Sequence, residues 1–125
     1  MKPESSPKAT ILVIEDEPGL LEILTVNLEG SGYRAIPAAD GLEAWRRFEE
    51  RRPDLIILDL NLPKLSGFRL LELFRRDEAS IPILVLTAYD FAEVEELAEY
   101  GLEGFITKPF SPEEVVSMVG HLLGE

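Results

Sequence analysis

The sequence predicts an α/β fold, a parallel doubly wound sheet with helices on both faces, and two observations carry that expectation. The run Asp54-Leu55-Ile56-Ile57-Leu58-Asp59-Leu60 sets four consecutive large aliphatic residues between two aspartates. A strand with one wet face alternates, so this run reads as a buried central strand covered on both sides. Along the rest of the chain, short apolar runs alternate with stretches whose apolar residues recur at helical spacing, five of each. Such alternation implies right-handed crossovers and parallel strands.

The first strand is expected over Ala9 to Ile14, ending in Glu15-Asp16-Glu17 and Pro18. Pro18 suits the first turn of a helix, where its missing N–H would have no partner. Leu20, Ile23, Leu24 and Leu28 continue that helix until Gly30-Ser31-Gly32 stops it. Tyr33 to Pro37 is a shorter, less apolar strand suited to a sheet edge. Asp40 and Glu43 have capping spacing for a second helix, with Leu42, Ala44, Trp45 and Phe48 as its buried stripe and Arg46, Arg47, Arg51 and Arg52 as its wet face.

The central strand is followed by a loop, Leu60 to Leu65, and by Ser66 as N-cap of a helix carrying Phe68, Leu70, Leu71, Leu73 and Phe74. Pro82 to Thr87 is the fourth strand. Asp90 with Glu93 caps a fourth helix ending at Gly101, and Gly104 to Thr107 is a fifth strand leading to Lys108-Pro109-Phe110. Ser111-Pro112-Glu113-Glu114 combines an N-cap, a proline at the first helical position and a capping glutamate. The last helix buries Val115, Val116, Val119, Leu122 and Leu123.

The chain has 125 residues, 46% of them hydrophobic, which suits one compact core. Residues 1–8 read as a flexible amino-terminal segment and 9–125 as the folded domain. No apolar run approaches the roughly 20 residues a membrane span needs, and Met1 to Lys8 lacks an apolar signal core. A soluble, cytoplasmic protein with no membrane partner is therefore expected. The absence of cysteine removes disulfides, thiolate metal sites and thiol nucleophiles. A net charge of −12 argues against direct nucleic-acid binding, because that affinity comes mostly from basic groups displacing phosphate counterions. The single histidine, His121, reads as a helix-end residue rather than a base.

The chemistry gathers at strand ends. Strand one ends in Glu15 and Asp16, strand three in Asp59, strand four in Thr87, and Lys108 follows strand five. In open α/β sheets ligands bind beyond the carboxyl ends of the strands. Asp59 alone could cap a turn aided by Pro63; in company with the others it lies where reactions are run. Converging carboxylates repel, and a hard divalent cation relieves that strain. Oxygen ligands without histidine or cysteine select Mg²⁺ or Mn²⁺ over zinc, and bound Mg²⁺ favours a phosphoryl group. Lys108 supplies a point charge for phosphoryl oxygens and Thr87 a hydroxyl donor. With no cysteine, nucleophile-elbow serine or histidine base, a carboxylate is the natural nucleophile, and Asp59 reads as the phosphoryl acceptor.

The motifs Ile-Glu-Asp-Glu-Pro (14–18), Asp-Leu-Asn-Leu-Pro-Lys-Leu-Ser-Gly (59–67), Leu-Thr-Ala (86–88) and Lys-Pro-Phe (108–110) occur in this order. With them the chain, from about Ala9 to Leu123, resembles the CheY-like receiver domain of two-component response regulators. The resemblance implies a flavodoxin-like (βα)5 fold with sheet order 2-1-3-4-5. It implies phosphorylation of Asp59 by a partner histidine kinase or phosphotransfer protein, and Mg²⁺ held by Glu15, Asp16, Asp59 and the backbone carbonyl of Asn61. It makes Thr87 the switch hydroxyl, Lys108 the family's lysine, Phe105 the switch aromatic, and Pro109 a candidate for a preceding cis peptide bond. Such a protein is a switch toward a downstream effector, not an enzyme with a separate substrate.

A phosphorylated aspartate carries more charge and more acceptor oxygens than a carboxylate. Thr87 is then drawn toward it, Phe105 turns into the vacated space, and the surface of the fourth helix, fifth strand and last helix changes shape. Phe105 has no hydroxyl to hold it outward, so its inward or outward bias rests on packing alone; the alternative reading makes it simply a core residue. The segment between Thr87 and Lys108 is one residue shorter than in many relatives. Glu103-Gly104 replaces the usual acidic pair, and the last helix lacks an inward-reaching arginine, so the charged dimer face of winged-helix regulators is not expected. Tyr89 is bulky enough to hinder water near an acyl phosphate. A haloacid-dehalogenase-type phosphatase would need a second aspartate where Asn61 stands. A flavodoxin would need a glycine- and hydroxyl-rich loop where Glu15-Asp16-Glu17 stands, and a pseudo-receiver would lack the full acid set.

Overall fold

The computed structural model describes residues 7–60, 67–77, 80–87 and 103–125. Its strands are β1 (Thr10–Ile14), β2 (Arg34–Ala38), β3 (Leu55–Asp59), β4 (Ile83–Thr87) and β5 (Gly104–Thr107). All pair in parallel, in one sheet of order β2-β1-β3-β4-β5. The described helices are α1 (Pro18–Gly30), α2 (Gly41–Glu50), α3 (Gly67–Asp77) and a last helix, Pro112–Leu122. The expected Ser66 cap, the fourth helix from Asp90 to Gly101, Tyr89 and Asn61 lie outside the described residues. None of the described helices is long and apolar enough to cross a membrane.

The sheet divides two apolar layers, which is why its inner strands carry no polar alternation. On one face Leu12, Ile14, Ile56, Leu58, Ile83 and Val85 pack under α2 and α3. On the other, Ile11, Val13, Ile57, Leu84 and Leu86 pack under α1 and the last helix. Every residue of β1, β3 and β4 is buried. The edge strands β2 and β5 are exposed in part, at Arg34 and Pro37 and at Phe105 and Thr107. The less apolar run expected at an edge is thus β2.

Capping residues fix where the helices begin. Asp40 Oδ1 accepts the Glu43 N–H at 2.8 Å, and Glu43 Oε1 accepts the Ala39 N–H at 2.7 Å. Ser111 Oγ accepts the Glu114 N–H at 3.2 Å. The cap of α1 is Glu17, whose carboxylate accepts the N–H groups of Gly19 (3.0 Å) and Leu20 (2.8 Å) ahead of Pro18. Between α2 and α3, Phe48 stacks on Trp45 with centroids 5.4 Å apart and meets Phe74 at 4.7 Å.

Leu42 is not in the buried stripe but 59% exposed. It precedes buried Ala44 by two positions, about 200° around a helix of 3.6 residues per turn, and so faces away. Arg51 and Arg52 lie beyond the end of α2; Arg52 is exposed as expected, and its guanidinium also lies 4.2 Å over the Phe48 ring and pairs with Asp77 of α3.

Gly67 brings α3 close to the end of the central strand. Its N–H donates to the Leu60 carbonyl at 3.3 Å, and a Cβ added there would lie 2.6 Å from Leu60 Cα. Only backbone movement could relieve that clash. Gly67→Ala is expected to cost about 1–3 kcal/mol, the range for overpacking, read from urea unfolding midpoints. A loss below about 0.5 kcal/mol, the scale of a neutral surface change, would contradict the close approach.

Candidate functional site

Strand register brings the polar residues to one level. Ile14 pairs with Leu58, Asp59 with Leu86 and Thr87 with Thr107, so Glu15, Asp59, Thr87 and Lys108 all leave the sheet at its carboxyl edge. Lys108 is held there by its own amide, which donates to the Thr87 carbonyl at 2.8 Å. Its Nζ then reaches Asp59 Oδ2 at 3.3 Å and lies 3.6 Å from Glu15 Oε1. The Lys108–Pro109 peptide bond is cis.

Burial sets the electrostatics. Glu15, Asp59 and Thr87 are each at most 2% exposed, whereas Asp16 is exposed. Glu15 Oε2 accepts the Glu17 N–H at 3.2 Å, and Glu15 Oε1 is buried without a hydrogen-bond partner. Loss of solvation first, and the Asp59 charge second, together raise the Glu15 pKa from 4.5 to about 7 against the opposing pulls of the Glu17 N–H and Lys108. One ammonium thus faces two buried carboxylates.

Carboxylate oxygens of Glu15, Asp16 and Asp59 lie within 4.8 Å of one another. The donor set is all oxygen, and one buried oxygen, Glu15 Oε1, accepts no hydrogen bond, so these residues fit a hard divalent cation such as Mg²⁺. Phe105 is 44% exposed on the edge strand β5. It is not in the core.

Residues 11–120 match the response regulator receiver domain. The chain belongs to that family. The receiver chain is 46% identical over 115 residues to the alkaline phosphatase synthesis transcriptional regulatory protein PhoP of Bacillus subtilis, covering 90% of this chain and 48% of that protein. It is 40% identical over 110 residues to the DNA-binding response regulator MtrA of Mycolicibacterium smegmatis, covering 87% and 48%. The chain spans about half the length of these curated relatives. Among solved structures, the receiver domain of Francisella response regulator 1452 aligns with a TM-score of 0.86 and 29% identity over 93% of this chain and 97% of that one. The chemotaxis response regulator CheY4 of Vibrio cholerae aligns at 0.84 with 31% identity, over 91% and 98%. The flavodoxin-like receiver fold is therefore that of this chain.

Some contacts around the site were not legible in advance. The Glu17 cap and the Glu15–Glu17 bond hide in an acidic triplet, where only the following Pro18 marks a helix start. The site residues expected from sequence and present among the described ones, Glu15, Asp16, Asp59, Thr87 and Lys108, do gather at one edge.

Between about pH 4.5 and about 7 the folded chain holds a proton on Glu15 that the unfolded chain has released. The stabilisation is complete below the lower value and is lost as pH rises through the higher one. Metal-free receiver should therefore lose melting temperature relative to Glu15→Gln between about pH 5 and about pH 8, with the variant the more stable at the upper end. A parent–variant difference that does not change with pH would contradict the shift.

Proposed function

We propose that this receiver domain, residues 9–125, takes a phosphoryl group onto Asp59 from the phosphohistidine of a sensor kinase or phosphotransfer protein. In that transfer an Asp59 carboxylate oxygen bonds to phosphorus as the phosphorus–nitrogen bond breaks, and the donor imidazole leaves. The observation that carries the reading is the Lys108 ammonium within 3.3 Å of buried Asp59, on the level of Thr87.

Glu15, Asp16, Asp59 and the Asn61 carbonyl would hold Mg²⁺ or Mn²⁺. The ion, when bound, offsets the charge of the acids and of the incoming phosphoryl oxygens. Lys108, fixed through its backbone, neutralises charge on the acceptor side, and the Thr87 hydroxyl donates to a phosphoryl oxygen. Burial of Asp59 and Glu15 keeps bulk water from screening these interactions. Phe105, on the same face of β5 as Thr107, follows Thr87 inward, altering the surface of β5, the last helix and the segment between Thr87 and β5. An effector reads that surface. Direct nucleic-acid contact by this domain is not part of the role; the relatives named as DNA-binding regulators are about twice as long.

Incubation with acetyl phosphate and Mg²⁺, followed by intact-mass measurement, should add one phosphate to the parent and none to Asp59→Asn. Chelation with EDTA should abolish the gain. Equal labelling of parent and variant would refute the assignment of Asp59.

A further inference from the structure

Strand β5 carries both Phe105 and the approach to Lys108, yet it is a four-residue edge strand in which only Ile106 is buried. Side chains alternate along a strand, so a slip of one residue would turn Ile106 outward and Phe105 inward and move Lys108 off its level. At the carboxyl end the slip is opposed by the Lys108 amide on Thr87. At the amino end the first registered pair is Leu84 with Gly104, which leaves the Ile83 N–H one step outside the ladder.

A side chain fills that step. Glu103 Oε1 accepts the Ile83 N–H at 2.8 Å and also the Arg75 Nη2 donor at 2.7 Å. Arg75, on the last turns of α3, gives its Nη1 donor to the Ile81 carbonyl at 2.7 Å. Its side chain is 16% exposed, so the ion pair is partly shielded from solvent. One carboxylate thus joins α3, the entry of β4 and the entry of β5.

We propose that the Arg75–Glu103 pair is a register latch that fixes where β5 begins, and that Glu103 is thereby a positioning residue for Phe105 and Lys108. The Glu103 carboxylate takes the place of a strand carbonyl at the end of the ladder, and the Arg75 guanidinium holds it there. The consequence for Lys108 chemistry rests on the phosphoacceptor reading; the latch itself rests on geometry alone.

Amide hydrogen exchange on the metal-free chain separates the two. In Glu103→Ala, the Ile83 amide and the protected amides of β5 should exchange faster by roughly tenfold or more, the scale of losing a charge-assisted hydrogen bond. Amides of β1 and β3 should keep their rates. Glu103→Gln, which retains an acceptor for Ile83, should recover most of the protection, and Arg75→Met should behave as a partial release. Should Glu103→Ala not fold, Arg75→Met against the parent gives the same reading. Unchanged exchange at Ile83 and β5, or the same acceleration in every strand, would overturn the latch. With acetyl phosphate and Mg²⁺, Glu103→Ala should take up phosphate more slowly than the parent. If the parent takes up none, the phosphoacceptor reading fails while exchange still decides the latch.

Discussion

The attraction between the Lys108 ammonium and the buried Glu15 and Asp59 carboxylates is the interaction on which the candidate site depends. Burial makes those carboxylates costly, and one cation does not offset two of them. In the proposed function, the remaining negative charge is what gives the pocket a use for a divalent cation and, with it, for phosphoryl oxygens. A fully balanced cluster would be more stable and would have no such affinity. The proton that Glu15 retains up to about pH 7 is the same imbalance, seen when no metal is bound.

The fold exists, in this sense, to hold that imbalance in place. Three fully buried parallel strands deliver Glu15, Asp59 and Thr87 to one level, and they tolerate no slippage because both faces are buried. Lys108 has weaker support, coming from a wet edge strand. Its position relies on hydrogen bonds at the two ends of β5, the Lys108 amide on Thr87 and the Glu103 carboxylate on Ile83.

Much of this was legible because the same physics governs sequence and structure. An apolar run such as Leu55 to Leu58, closed by Asp59, has few other ways to fold, and the sheet order followed from the family resemblance. Side-chain direction was harder to read. Leu42 shares an i, i+3 relation with Trp45 but sits across the helix from Ala44, and apolarity alone did not decide between them. Long-range polar contacts were also hidden: Glu103 read as a departure from an acidic pair, and nothing near it in sequence points to Arg75 or to the Ile83 amide. Arg52 is exposed, as a wet helix face implies, and sequence does not show that its flat cation also lies on a ring four residues earlier.

A double-mutant cycle in stability at about pH 8 tests the central interaction most directly. Lys108→Met alone leaves the buried Glu15 and Asp59 pair with no cation and should destabilise metal-free receiver by about 3–5 kcal/mol, the cost of breaking a buried pair. In the background of Glu15→Gln and Asp59→Asn the same change should cost under about 1 kcal/mol. An equal loss in both backgrounds would mean that Lys108 is held by packing alone, and that the charge imbalance ascribed to this site does not exist.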